Sequence, residues 1–300
     1  MDLVVLAAGM GSRFGGLKQI KPIDHYGNFI IDFSIYDAIK VGFNKVVFVI
    51  KEENYEAFEN SVAKRIRPFI KVEYAFQGPK SFLPEEYKNV VREKPWGTAH
   101  AIYAARDIIK DDFIIINGDD FYGRDAYEVA YKYLASLPKG AKGKYANVAF
   151  KVSNTMTENG SVKRGVCFED KDHNLSKLVE SSIERNKGGK IIATPLEGGE
   201  PFEVSEDTPV SMNLFCFNKD LMDHLRDRFP KWLEVHGNEL KSEFLIPSVI
   251  SELVGEGKAS LKLLSTDSIW FGVTYKEDKP GVVRALKELV DKGEYKAGLY

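Results

Sequence analysis

Residues 6–22 read Leu-Ala-Ala-Gly-Met-Gly-Ser-Arg-Phe-Gly-Gly-Leu-Lys-Gln-Ile-Lys-Pro and gather four glycines, Arg13 and Lys18 into one short segment. Glycine lets a backbone approach an anion closely and turn its N–H groups toward it. The two cations supply charge of the sign a triphosphate needs. A Walker A loop requires Lys and then Ser or Thr directly after its last glycine. The spacing from Gly11 to Gly16 fits, but Leu17 stands at the lysine position. A dinucleotide fingerprint would begin at Gly9-x-Gly11, where Phe14 replaces the third glycine, and Pro22 and Gly27 interrupt the chain before a helix could start. Both of those loops fail at a named residue, which leaves a triphosphate cradle of another kind.

A second chemical feature is Asn117-Gly118-Asp119-Asp120, where an apolar run ends in paired carboxylates. Magnesium prefers hard oxygen ligands and takes one or two carboxylates, with phosphates and water supplying the rest. The five histidines, at 25, 100, 173, 224 and 236, show no metal-binding spacing, so His100 is expected to be part of a helix rather than a ligand. Cys167 and Cys216 sit in apolar, strand-like runs without a CxxC partner. They are expected to be buried free thiols, which fits a reducing cytoplasm.

These residues need a scaffold that brings them to one edge. Apolar runs at Leu3–Ala7, Lys45–Ile50, Val72–Phe76 and Phe113–Ile116 predict strands, and helical spacing is present at 31–41, 53–66 and from Thr98 to about Ile109. Strands and helices that alternate in this way predict parallel βαβ units. Such sheets bind ligands beyond the carboxyl ends of their strands, where both the glycine-rich segment and the acidic turn would lie. Beyond about residue 140 the reading changes to strands at 146–152, 164–169, 175–180, 190–195 and 209–217, with helices at 219–236, 243–254 and 279–290. No linker separates the halves. The prediction is a single domain over 1–300 with two lobes, at about 1–138 and about 139–300.

Leu6-Ala7-Ala8-Gly9-x-Gly11-Ser12-Arg13, followed by Lys18 and Pro22, resembles the signature of the sugar-phosphate nucleotidyltransferases, the family of the glucose-1-phosphate thymidylyltransferases and N-acetylglucosamine-1-phosphate uridyltransferases. The resemblance implies a Rossmann-like α/β fold, with a mostly parallel sheet flanked by helices and a strand-rich acceptor lobe; it implies that the lobe at about 1–138 binds nucleotide and the one at about 139–300 the acceptor. It implies that the backbone of Leu6, Ala8, Gly9, Gly11 and Ser12 holds base and phosphates, that Arg13 engages the leaving pyrophosphate, and that Lys18 holds the α-phosphate. The Arg13-to-Lys18 spacing is shorter than in the family, which leaves Lys21 as a rival. Gln77, Gly97 and Thr98 match the positions that read the base. Asn117-Gly118-Asp119 is similar to the family's Gly-Asp-Asn turn, which makes Asp119 the metal ligand and Mg2+ the cofactor. Trp270-Phe271-Gly272-Val273-Thr274 stands where a second Asp or Asn ligand would be and has neither; Thr274 or a water could substitute, with Asp267 and Asp278 nearby. Gly165, Glu180 and Asn213 correspond to residues on the sugar side.

The implied partners are a nucleoside triphosphate and a phosphorylated small-molecule acceptor, joined with release of pyrophosphate. A cytidylyltransferase for phosphocholine or a phosphonate remains an alternative, and so does a non-catalytic nucleotide-sugar-binding regulator. A net charge of -2 removes the surplus cations that nucleic-acid binding needs. The N-terminus carries an acid where a signal peptide wants bases, and no apolar run approaches the roughly 18 residues of a membrane span. Expectations are therefore no nucleic acid, no membrane and a cytoplasmic location. No hexapeptide repeats precede Tyr300, so an appended acyltransferase is not expected. The helix-rich C-terminus is compatible with a homo-oligomer.

Overall fold

A computed structural model describes residues 1–9, 22–157, 160–272 and 279–300. Arg13, Lys18, Gly11, Ser12, Lys21, Thr274 and Asp278, singled out above, lie outside the described residues.

Four strands, β1 (Asp2–Leu6), β2 (Lys45–Ile50), β3 (Lys71–Phe76) and β4 (Phe113–Asn117), form a parallel unit ordered β4-β1-β2-β3. Their near-continuous apolar sequences are what a parallel sheet covered on both faces requires. Alternate residues divide between two cores. Leu3, Val5, Val46, Phe48, Ile114 and Ile116 face α1 (Ile30–Val41), the broken helix α2 (Tyr55–Phe58) and α3 (Lys64–Ile66), and α5 (Arg124–Ser136). Val4, Val47, Val49, Phe113 and Ile115 face α4 (Thr98–Tyr103), α6 (Leu221–His236) and α7 (Ile246–Gly255). Each fully buried branched or aromatic side chain contributes about 1.5–3 kcal/mol of transfer free energy.

The sheet continues antiparallel from β4. β11 (Pro209–Phe217) joins β4, and β7 (Val162–Glu169), β8 (Leu175–Arg185), β9 (Ile191–Pro195) and β10 (Phe202–Val204) follow in order. β6 (Lys144–Lys151) also pairs with β11 and carries β12 (Ser260–Thr266) parallel on its far side. The two halves thus share one sheet, with β11 the strand common to both. A short ribbon of β5 (Asp120–Phe121) and β13 (Phe271–Gly272) crosses the end of β4. Finally, α8 (Lys279–Asp291) and the C-terminal tail pack Val282, Leu286, Tyr295 and Leu299 over Phe33 and Tyr36 of α1.

Two helices differ from the reading above. The helix read from 98 to 109 stops at Tyr103 and continues as turns. The one read at 53–66 widens by a π turn at Glu59–Ala63. α5 and β12 were not among the elements read above. Cys167 and Cys216 are buried and free, and burial pushes the Cys167 thiol up to about 12.

Candidate active site

β1 and β4 are parallel neighbours in register, Leu6 opposite Asn117, so the two segments that leave their carboxyl ends start side by side. The Leu6 carbonyl accepts the Gly118 N–H at 3.0 Å, and Ala7 N–H donates to Val49 O at 2.9 Å. A Cβ on Gly118 would meet Ala7 Cβ and Val5 Cγ1 at 3.2 Å each, so this glycine lets the acidic turn lie against β1. Ala7 and Ala8 are buried, whereas Gly9 is exposed with open space around it. Among the described residues nothing crowds Gly9. Leu6, Ala8 and Gly9 therefore carry the chain out of the sheet beside the turn that holds Asp119.

Within that turn the two carboxylates differ. Asp119 is half-buried, while Asp120 is 7% exposed and accepts from Asn117 Nδ2 at 2.9 Å and Tyr122 OH at 3.3 Å. Tyr122 is fully buried. Its hydroxyl accepts the Asn117 N–H at 3.1 Å and faces the Met212 carbonyl at 3.1 Å. This one oxygen ties the acidic turn to β11. Sequence reading passed over Tyr122, because a tyrosine just after a strand has no signature until its hydroxyl partners are known. The Tyr122→Phe variant would keep the ring and orphan a buried N–H or C=O. It is expected to lose about 1–3 kcal/mol in denaturant unfolding; an unchanged midpoint would show that the hydroxyl bridge contributes nothing.

On the other side of β1, Gln77 follows β3 and is 8% exposed. Its Nε2 lies 3.1 Å from Gly97 O and 3.2 Å from His100 Nδ1, and His100 Nε2 lies 2.8 Å from Ser81 O. Burial, with Arg106 and Arg92 adding to it, lowers the His100 pKa to about 4 even though the Ser81 carbonyl works against the shift. Gly97 has φ 103 and packs directly on the Phe244 backbone, so a Cβ there would collide. Thr98 Oγ1 accepts the Ile246 N–H at 3.1 Å. Gly97 and Thr98 therefore clamp the segment entering α7 onto the start of α4. The polar stretch at 78–95, unreadable as sequence, walls this side. Trp96 Nε1 donates to Pro79 O at 2.7 Å, and Arg92 lies 4.0 Å over the Trp96 ring while bonding the Glu239 and Ser242 carbonyls.

Of the three residues expected on the sugar side, Gly165 and Glu180 lie side by side. Gly165 pairs with Glu180 on one side and Ser211 on the other, which places these positions on one face of adjacent strands. Leu178 and Glu180 Oε1 cover the bare face of Gly165, 2.8 and 3.2 Å from where a Cβ would stand. Loss of hydration, with Glu197 adding to it, raises the Glu180 pKa. Between Ser211 and Phe215 the β11 register shifts, and Asn213 projects exposed from that irregularity with φ 62. Asparagine is among the few side chains that tolerate this left-handed backbone. Asn147, fully buried, braces the irregularity by donating to Ser211 Oγ at 3.0 Å and Leu214 O at 3.1 Å. A lone asparagine in an apolar strand was the available signal for it.

The late segment approaches the acidic turn as well. Gly272 pairs with Asp120, and a Cβ there would stand 3.0 Å from Asp120 Oδ1. Asp267 points elsewhere, with its carboxylate 2.8 Å from Lys151 Nζ. Among the described residues no group of three or more His, Cys, Asp or Glu could hold a metal unaided.

The model of the nucleotidyl transferase family matches residues 3–273. Among curated proteins, the bifunctional protein GlmU of Methanococcus maripaludis is 29% identical over 143 residues, 46% of this chain and 30% of that one. UTP–glucose-1-phosphate uridylyltransferase AglF of Haloferax volcanii is 25% identical over 190 residues, 61% of this chain and 66% of that one. The aligned stretch thus spans about a third of the first relative's length and about two thirds of the second's. Two solved structures share the fold. They are the inositol-1-phosphate CTP transferase from T. maritima (TM-score 0.61, 12% identity, 97% of this chain and 96% of that one) and a putative glucose-1-phosphate thymidylyltransferase from Bacillus anthracis (TM-score 0.60, 13% identity, 95% and 94%).

Proposed function

The chain belongs to the nucleotidyl transferase family, and on that premise we propose that it joins a nucleoside triphosphate to a sugar 1-phosphate, releasing a nucleotide-sugar and pyrophosphate. The observation that carries this reading is the shared edge. The phosphate segment leaves β1 beside the Asp119 turn, and the same sheet continues through β11, β7 and β8 to Asn213, Gly165 and Glu180. The relative named as a glucose-1-phosphate uridylyltransferase supports a sugar phosphate as acceptor. We read the chain as one nucleotidyltransferase domain of two lobes.

The acceptor's phosphate has a second pKa of about 6, so its oxygen is already ionised near neutral pH and needs no general base. That oxygen attacks the α-phosphorus in line. The bond from the α-phosphorus to the bridging oxygen breaks, and the electron pair leaves with pyrophosphate. Catalysis is then positioning and charge neutralisation. Lys18 holds the α-phosphate, Arg13 steadies the leaving group, and the backbone of Leu6, Ala8, Gly9, Gly11 and Ser12 cradles the nucleotide. Gln77 reads the base, with Gly97 and Thr98 fixing the wall around it. Gly165, Glu180 and Asn213 receive the acceptor's hydroxyls. A half-buried Asp119 suits Mg2+, which takes one or two carboxylates and draws its other ligands from phosphates and water. When bound, the metal supplies positive charge to the phosphates.

The test is pyrophosphate release from a matrix of UTP, dTTP, CTP, GTP and ATP against sugar 1-phosphates, phosphocholine and a phosphonate. Release only when a triphosphate meets a sugar 1-phosphate is the expected result. Release confined to CTP with phosphocholine or a phosphonate would move the assignment to a cytidylyltransferase. Tight nucleotide binding with no release from any pair would make the protein a regulator.

A further inference from the structure

The primary amide of Gln77 has two donors and one acceptor, and its orientation decides what kind of base edge it can meet. Three contacts fix that orientation by elimination. The Ser81 carbonyl, 2.8 Å from His100 Nε2, can only accept, so Nε2 carries the ring proton. The imidazole is 0% exposed and lies against Phe229, with ring centroids 4.9 Å apart. Arg92 and Arg106 both oppose a further positive charge, and the pKa of about 4 keeps the ring neutral near neutral pH. Nδ1 is then a bare lone pair. The Gln77 atom 3.2 Å from it must be the amide nitrogen, whose other hydrogen goes to Gly97 O at 3.1 Å. Two independent acceptors, a ring nitrogen and a backbone carbonyl, demand the same sense of the amide. Both hydrogens are consumed inside the protein, and Oε1 is the polar atom left over.

We propose that His100 is a positioning residue that holds the Gln77 amide in one sense, so that the nucleotide pocket offers the base an acceptor and favours a base whose pairing-edge ring nitrogen carries hydrogen (uracil, thymine or guanine) over one whose ring nitrogen there is bare (cytosine or adenine). The inference rests on the nucleotidyl-transfer reading and adds a source of base choice to it. His100 does not touch the nucleotide; it acts through Gln77. A ring proton moved to Nδ1 would leave Gln77 free to turn, and the same pocket would then present donors. A packing role alone would require only a ring of this size, with no preference for which nitrogen carries hydrogen.

Two measurements decide the matter. Nitrogen-resolved NMR of the labelled imidazole should show the Nε2–H tautomer at neutral pH and no protonation until well below pH 6. An Nδ1–H tautomer, or an ordinary histidine pKa, overturns the proposal without any activity assay and whether or not a variant folds. Second, kcat/KM for the preferred and the disfavoured triphosphates is compared in wild type, His100→Ala and His100→Asn, whose Oδ1 can accept from Gln77 as Nδ1 does. In His100→Ala the ratio between preferred and disfavoured bases should shrink by about tenfold, the scale of one hydrogen bond. The change should fall mainly in KM, and His100→Asn should recover most of the ratio. An unchanged ratio in folded His100→Ala overturns the inference alone. A wild type that turns over no triphosphate overturns both the inference and the reading beneath it.

Discussion

Lys18→Ala is expected to depress turnover by roughly 10²–10³-fold, the scale seen when one preorganised donor to a developing oxyanion is removed. The nucleophile in the proposed reaction is a phosphate dianion attacking a phosphate that is itself anionic. The barrier is therefore dominated by charge repulsion, and a cation at the α-phosphate acts where it is steepest. A lysine head is almost never part of an apolar core, so the loss should come without unfolding. Thermal melting of the variant beside wild type checks that. Lys21 is the internal control. Near-normal turnover in Lys18→Ala with collapse in Lys21→Ala would move the role three residues along the chain. Near-normal turnover in both would remove the segment from the chemistry.

Asp119→Asn should lower kcat by an amount on the order of 10²–10³-fold, because several kcal/mol of phosphate charge stabilisation is at stake and each 1.36 kcal/mol is about a factor of ten. Asparagine keeps the size of the side chain and removes its charge, so the protein should fold. A second readout separates metal binding from general disturbance. The Mg2+ concentration for half-maximal activity, at fixed triphosphate, should rise in Asp119→Asn. Asp120→Asn should behave differently, because Asp120 is buried against Asn117 and Tyr122. Its main effect should be on stability. An unaltered Mg2+ requirement in Asp119→Asn would remove that residue from the metal.

The parallel half of the fold was legible because its strands carry their own evidence. Predicted strands at 3–7, 45–50, 72–76 and 113–116 lie within a residue or so of β1, β2, β3 and β4. Each is a run that is apolar but for Lys45 and Glu73 and that ends at a glycine or polar turn. β12 escaped notice because its partner β6 precedes it by more than a hundred residues and its alternation of Leu261, Lys262 and Leu263 is short. α5 carries Ala126, Tyr127, Ala130 and Leu134 at helical spacing, a signal present in the sequence but overshadowed by the acidic turn before it. The proposed site divides the same way. Gly165, Glu180 and Asn213 were singled out separately and the strand pairing places Gly165 and Glu180 side by side, with Asn213 in the irregularity next to them. Tyr122, Asn147 and the active sense of His100 were not legible. Their meaning lies in partners on distant segments, such as Met212, Leu214 and Ser81, that no local pattern connects.

The irregularity in β11 has a parity. From Ser211 to Phe215 the strand advances four residues while β6 advances only two, from Ala149 to Asn147. The surplus is even, so Cys216 still faces one core and Phe215 the other, as an uninterrupted strand would place them. A surplus of one would have broken that alternation within the strand and required a bulge to absorb it. The segment bearing Asn213 can therefore lengthen or shorten by pairs of residues and keep the alternation that seats β11 against β4, whereas an odd change needs a further bulge to preserve it.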